Sequence, residues 1–203
     1  NFHNMLDWLK HISKEYPEFW KKYLAKFDSK PTNFIILHTI KSGSNPLEDV
    51  IFSFGAIVVS KNRIVLAETF ENMILQYKYT HDKGLSNDFL INTKLTKMSE
   101  EQAFEKFIDF IGNATIVGYK IHHDFELINE VLEKMHCGRL KNDALDIEIM
   151  YKKWKESTER TIANEDIYLD FKIPVPPLDS ALEQAYANAL VFLKLKARLN
   201  IQL

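Results

Sequence analysis

Phe34-Ile35-Ile36-Leu37-His38-Thr39-Ile40-Lys41-Ser42-Gly43, followed after a short polar gap by Val50-Ile51-Phe52-Ser53-Phe54-Gly55-Ala56, is the stretch on which the fold turns. Each half opens as a short apolar run closed off by polar or glycine residues. Short runs of this kind, rich in β-branched and aromatic side chains, read as buried strands. The spacing therefore predicts strands over 33–38 and 50–60, a turn at Lys61-Asn62, and a third strand over 63–70. Three strands in series form a meander.

Downstream the pattern changes period. Ser99-Glu100-Glu101-Gln102 is a capping-box signature, and it opens a helix with Ala103, Phe104, Phe107, Ile108 and Ile111 on one side. A short strand is expected over 114–118, a helix over 123–135 and another over 144–154, whereas 76–92 and 160–169 fit no single pattern. Ser180-Ala181-Leu182-Glu183 is a second capping box and starts a last helix reaching about residue 199. Upstream, helices are expected over 4–12 and after Pro17, where Phe19, Trp20, Tyr23, Leu24 and Phe27 make an apolar stripe. The organisation that results is an N-terminal helical extension over 1–30 and one α/β domain over 31–203.

Composition narrows the class. The chain has 203 residues, 46% of them hydrophobic, which suits one domain with a sizeable core. No apolar run approaches the ~18 residues of a membrane helix. The start lacks the layout of a signal peptide, although a sequence that begins with Asn1 leaves a preceding segment open. A single cysteine, Cys137, precludes an internal disulfide and suits a reducing, cytoplasmic compartment. Net charge is −2, so the chain is no general nucleic-acid coat, though a local basic patch is compatible with it.

Three segments together resemble the DnaQ-like (DEDD) 3′–5′ exonuclease family. The family's first motif is an apolar strand ending in Asp-x-Glu-Thr-Thr-Gly, then a strand with Ile-Gly-Ala; here the matching stretches are the two quoted at the outset. The second is Val-Gly-His-Asn-x-x-Phe-Asp, matched by Val117-Gly118-Tyr119-Lys120-Ile121-His122-His123-Asp124. The third is His-x-Ala-x-x-Asp-Ala, matched by Asp179-Ser180-Ala181-Leu182-Glu183-Gln184-Ala185. The resemblance spans about 33–195. It implies an RNase H-like fold, a mixed five-stranded sheet flanked by helices.

Members of this family hydrolyse a terminal phosphodiester with two divalent ions about 4 Å apart, held by four carboxylates because Mg²⁺ and Mn²⁺ prefer hard oxygen ligands. Position by position, His38 stands for the first Asp, Ile40 for the Glu, Asp179 for the general-base His and Gln184 for the last Asp; Asp124 alone matches. The resemblance thus implies a vestigial site of His38, Ile40, Asp124, Asp179 and Gln184, with no metal or other cofactor expected and Asp124 as its one matching ligand. His122 and His123, adjacent in sequence, are not expected to share an ion. Lys152, Lys153 and Lys155 read as a solvated helix face.

The leading functional expectation is a catalytically inactive exonuclease-like protein that keeps a binding role toward a single-stranded DNA or RNA 3′ end, or toward a protein partner, with no membrane. One alternative is an active exonuclease using Mg²⁺ or Mn²⁺, or one softer ion held by His38, Asp124 and Asp179. Another is a pure interaction module. Locally, Ser180 is expected to cap the last helix and to bring Asp179 against Gln184.

Overall fold

A computed structural model of the chain describes residues 15–76 and 94–201. The expected helix over 4–12, and the patternless stretch 76–92 apart from Gln76, lie outside the described residues. The elements are α1 (Glu18–Ala25), β1 (Phe34–Lys41), β2 (Ile51–Ser60), β3 (Arg63–Ile74), β4 (Lys97–Met98), α2 (Glu100–Ile111), β5 (Thr115–Gly118), α3 (Ile121–Lys134), β6 (Ala144–Asp146), α4 (Ile147–Lys155), α5 (Asn164–Asp170) and α6 (Ala181–Arg198).

The sheet has six strands in the order β4-β3-β2-β1-β5-β6. The meander β1–β2–β3 is antiparallel, while β5 joins β1, β6 joins β5 and β4 joins β3 in parallel. This is the mixed α/β sheet of the RNase H-like fold with one strand more than expected. The surplus comes from β4, two residues that pair only with Met73 and Ile74, too short a piece to leave any sequence pattern. A second correction concerns 144–154. Ala144, Leu145 and Asp146 pair with Ile116, Val117 and Gly118 as an edge strand, and the helix begins only at Ile147. Asp146 does both jobs: it ends the strand and caps the helix, its carboxylate accepting from Glu148 N and Ile149 N. The unassigned stretch 160–169 contains the start of α5.

Alternation along β1 sends side chains to two cores. Ile35 and Leu37 pack with Phe54, Ala56 and the apolar faces of α2 and α3 on one side. Phe34 and Ile36 pack with Ile57, Val59 and residues of α4, α5 and α6 on the other. The helix α1 belongs to the first core: Trp20 and Tyr23 are each 1% exposed. The Tyr23 hydroxyl donates to Asn142 Oδ1 at 2.7 Å and accepts from Lys141 N at 2.8 Å. Asn142 in turn donates to the carbonyls of Gly112 and Ala114, so the helix is tied to the loops that end α2 and precede β6. Among the described residues no helix is long and apolar enough to cross a membrane.

Helix starts behave as their capping residues require. Ser99 Oγ accepts from Gln102 N at 3.2 Å and the Gln102 side chain returns to Ser99 N at 3.5 Å, a complete capping box. Ser180 Oγ accepts from Glu183 N at 3.3 Å, so Ser180 caps α6, but no return bond from Ser180 N to the Glu183 side chain is found among the described residues and the expected second capping box is half formed. The start of α6 lies hard against β2 at Gly55. A Cβ there would sit 2.1 Å from the carbonyl carbon of Ala181 and 2.4 Å from Leu182 N. Only a residue without a side chain lets the helix approach so closely, which gives a steric reason for glycine in the Phe54-Gly55-Ala56 stretch.

Candidate functional site

The carboxy-terminal ends of β1 and β5 run parallel and side by side, and helices start immediately beyond β5 and β6. Ligand crevices in α/β sheets form at such ends, where neighbouring strands lead off to different elements. The three motif segments all arrive here, from β1, from the start of α3 and from the start of α6.

His38 faces the α6 side of the sheet. It is paired across the ladder with Gly55, and Gly55 with Glu71 of β3. The start of α6 fills the space above Gly55, with His38 on one neighbouring strand and Glu71 on the other. Glu71 accepts from Leu182 N at 3.4 Å, so a sheet carboxylate sits at the positive end of the helix. Burial, and after it Glu183, pushes the Glu71 carboxyl up, while the Leu182 bond opposes the rise. Burial also holds the His38 imidazole below its ordinary range; Lys41 adds to that and Asp124 works against it. His38 is thus a partly buried imidazole favoured neutral. Ile40, two residues on, is partly buried.

Asp124 lies on the other face of the sheet and is 3% exposed. Its Oδ1 accepts from Thr39 Oγ1 at 2.5 Å and pairs with the Lys41 ammonium. Strand alternation explains Thr39, which shares the face of Ile35 and Leu37. A register shift between Ile40 and Lys41 accompanies the arrival of the Lys41 ammonium at the same oxygen. The one carboxylate that matches the motif therefore has a hydroxyl and a cation of the protein itself on a single oxygen.

Around it the groups are basic. The rings of His122 and His123 lie with centroids 4.0 Å apart, closer than their adjacency on a helix suggests. Burial lowers the His123 imidazole, and His122, Lys41 and Lys120 lower it further, with Asp124 opposing. Lys120 precedes α3 in the left-handed conformation, φ 50°, ψ 42°, a region that asparagine tolerates better than lysine. Asp146 stands nearby, but Ile121 N, Glu148 N and Ile149 N donate to it. His122 Nδ1 lies 3.7 Å from Asp146 Oδ2. Tyr119 donates to the Ile162 carbonyl at 2.8 Å.

The third motif is assembled differently from expectation. Gln184 is 7% exposed, and its amide donates to the Pro177 carbonyl at 3.3 Å. Asp179 is exposed and makes no hydrogen bond to Gln184 among those of the described residues. The amide is taken instead by the last carbonyl of the Pro174–Pro177 connector. Among the described residues no three His, Cys, Asp or Glu side chains converge as a metal ion would require. The sequence reading missed Thr39, Lys41, Lys120 and Glu71. For Lys41 and Lys120 a signal existed: lysine stands where the motif has Thr and Asn.

No family model matches the chain, and no curated protein does either. Solved structures do. E. coli exonuclease I in complex with a 5cy-dT13 oligonucleotide matches with a TM-score of 0.62 at 13% identity, covering 84% of this chain and 41% of that one. An exonuclease I structure solved in a study of processivity matches at 0.67 and 12%, covering 83% and 42%. The complex of exonuclease I with SSB-Ct matches at 0.64 and 12%, covering 84% and 42%. The chain spans about two fifths of the length of these proteins. At such identity the likeness is one of fold, and the fold of this chain is the RNase H-like fold of exonuclease I.

Proposed function

We propose that this chain binds the 3′ end of single-stranded nucleic acid without hydrolysing it. The observation that carries the reading is the state of Asp124, the only carboxylate at a motif ligand position, whose Oδ1 is taken by the Lys41 ammonium and the Thr39 hydroxyl. Two hard dications need several converging oxygens and enough negative charge to sit close together. Here the other ligand positions hold an imidazole, an isoleucine and an amide already spent on Pro177. This donor set does not fit the metal pair. A lone softer ion on His38, Asp124 and Asp179 fares no better, since Asp179 is exposed and Asp124 is paired.

Exonuclease I, which has the same fold, has been solved in complex with a dT13 oligonucleotide, and that likeness supports single-stranded nucleic acid as the ligand class. The test incubates 5′-labelled single-stranded DNA and RNA with the protein in Mg²⁺, Mn²⁺ or Zn²⁺, and measures binding by anisotropy at several salt concentrations. Intact strands with salt-dependent binding support the reading. Metal-dependent shortening that disappears in Asp124→Ala overturns it. Neither degradation nor binding moves the function to an interaction module.

A further inference from the structure

The motif that this chain resembles places four carboxylates at the crevice, with Thr, Asn and Phe beside them. Here three of the acids are gone, and Lys41, Lys120 and His123 stand at the positions of Thr, Asn and Phe. The change adds basic groups as well as removing acids. On the β5–α3 side the acids have their charge taken up inside the protein, Asp124 by Lys41 and Thr39, Asp146 by three backbone N–H groups at two helix starts, Glu148 by Lys152 at 2.9 Å and by Ile162 N, whereas Glu71 and Asp179 belong to the α6 side.

The basic groups are gathered. His122 and His123 have ring centroids 4.0 Å apart, and the side chain of His122 is 65% exposed. The Lys41 side chain is 24% exposed, so water and solutes reach it although it is paired. Lys120 extends over the Tyr119 ring, its Nζ 5.1 Å from the centroid. It is held in a left-handed backbone conformation that non-glycine residues adopt at a cost. His123 is the common neighbour: His122, Lys41 from β1 and Lys120 from the β5–α3 junction all lie within Coulombic reach of it.

In a metal-dependent site the dications hold the phosphate by positive charge. Lysine and imidazole N–H groups hold phosphate oxygens by charge-assisted hydrogen bonds, with no ion between them. We propose that Lys41, Lys120, His122 and His123 form an anion subsite for a terminal phosphate monoester on a single-stranded nucleic acid. The proposal rests on the binding function inferred above and names the end chemistry that this crevice selects. A terminal monoester carries more negative charge than an internal diester and presents three free oxygens, which suits basic groups arriving from two elements.

The experiment compares 5′-fluorescein oligothymidylates ending in 3′-phosphate or 3′-hydroxyl, by anisotropy in EDTA at low salt. The phosphate-ended strand should bind about five- to tenfold tighter. Lys120→Asn removes the charge, keeps a residue suited to the left-handed backbone, and should erase most of that preference. The double variant His122→Ala, His123→Ala should reduce it as well, while Lys153→Ala on α4 should leave it intact. Circular dichroism confirms that each variant is folded. Inorganic phosphate should compete with the phosphate-ended strand more effectively than with the hydroxyl-ended one. Equal affinity for the two ends overturns this proposal and leaves the binding function standing; so does a preference unchanged in both crevice variants. Failure to bind either strand overturns both.

Discussion

Removing the Lys41 ammonium tests the feature on which the functional reading stands. The carboxylate it meets has a side chain 5% exposed, while the Lys41 side chain is 24% exposed. Breaking a fully buried pair by deleting one partner costs about 3–5 kcal/mol, because the remaining charge is left without compensation. Two features reduce that figure here. Water enters along the space that Lys41 vacates, and Thr39 keeps its bond to the same oxygen at 2.5 Å. Lys41→Ala should therefore destabilise by about 2–3 kcal/mol, below most of that range. Asp124→Asn keeps an acceptor for Thr39 and leaves a partly exposed ammonium, which water solvates; about 1–2 kcal/mol is expected. The double variant Lys41→Met, Asp124→Asn should recover part of the loss, with a coupling of about 1–2 kcal/mol. Urea denaturation at constant m-value reads these differences, and for a chain of this size each kcal/mol moves Tm by about 2–4 °C. A cost of less than about 0.5 kcal/mol for Lys41→Ala, within the range of ordinary surface changes, would refute the reasoning. Asp124 would then be hydrated in solution and available to a cation, and the proposed loss of metal binding would lose its support.

Gly55→Ala brings a Cβ within 2.1–2.4 Å of the backbone of Ala181 and Leu182. It should cost about 1–3 kcal/mol or more by urea denaturation and shift amide resonances at the start of α6; a neutral result would mean the helix does not lie on Gly55. Tyr23→Phe removes the hydroxyl that serves Asn142 and Lys141. It should cost about 1–3 kcal/mol, measured by thermal or urea unfolding, and a negligible change would mean that α1 is not anchored to the domain. His38 has its folded-state imidazole lowered by burial, so the unfolded chain binds the extra proton first. Stability should fall as pH drops from about 6.5 toward the lower folded value, and His38→Asn should flatten that part of the profile. An unchanged profile would place His38 in water.

Much of the fold was legible because local chemistry dictated it. The short apolar runs and the turn at Lys61-Asn62 gave the meander, Ser99 and Ser180 marked two helix starts, and the apolar stripe after Pro17 gave α1. These are short-range patterns, fixed by the geometry of a strand or a helix turn. The identities at His38, Ile40, Asp124 and Gln184, on which the proposed loss of metal binding rests, were likewise present in the sequence. Tertiary structure decided the rest. Two very short strands, β4 and β6, exist only because a longer neighbour offers unpaired backbone groups. Gln184 bonds Pro177 because the connector before α6 folds back beside it, which no spacing rule foretold. Above all, Lys41 and Asp124 lie 83 residues apart in the chain. Their pairing depends on β1 and α3 meeting at one end of the sheet, with a register shift beside Lys41. Helix and strand periodicities extend over a few residues, whereas the charge of a crevice is a sum over elements that only the packed chain brings together.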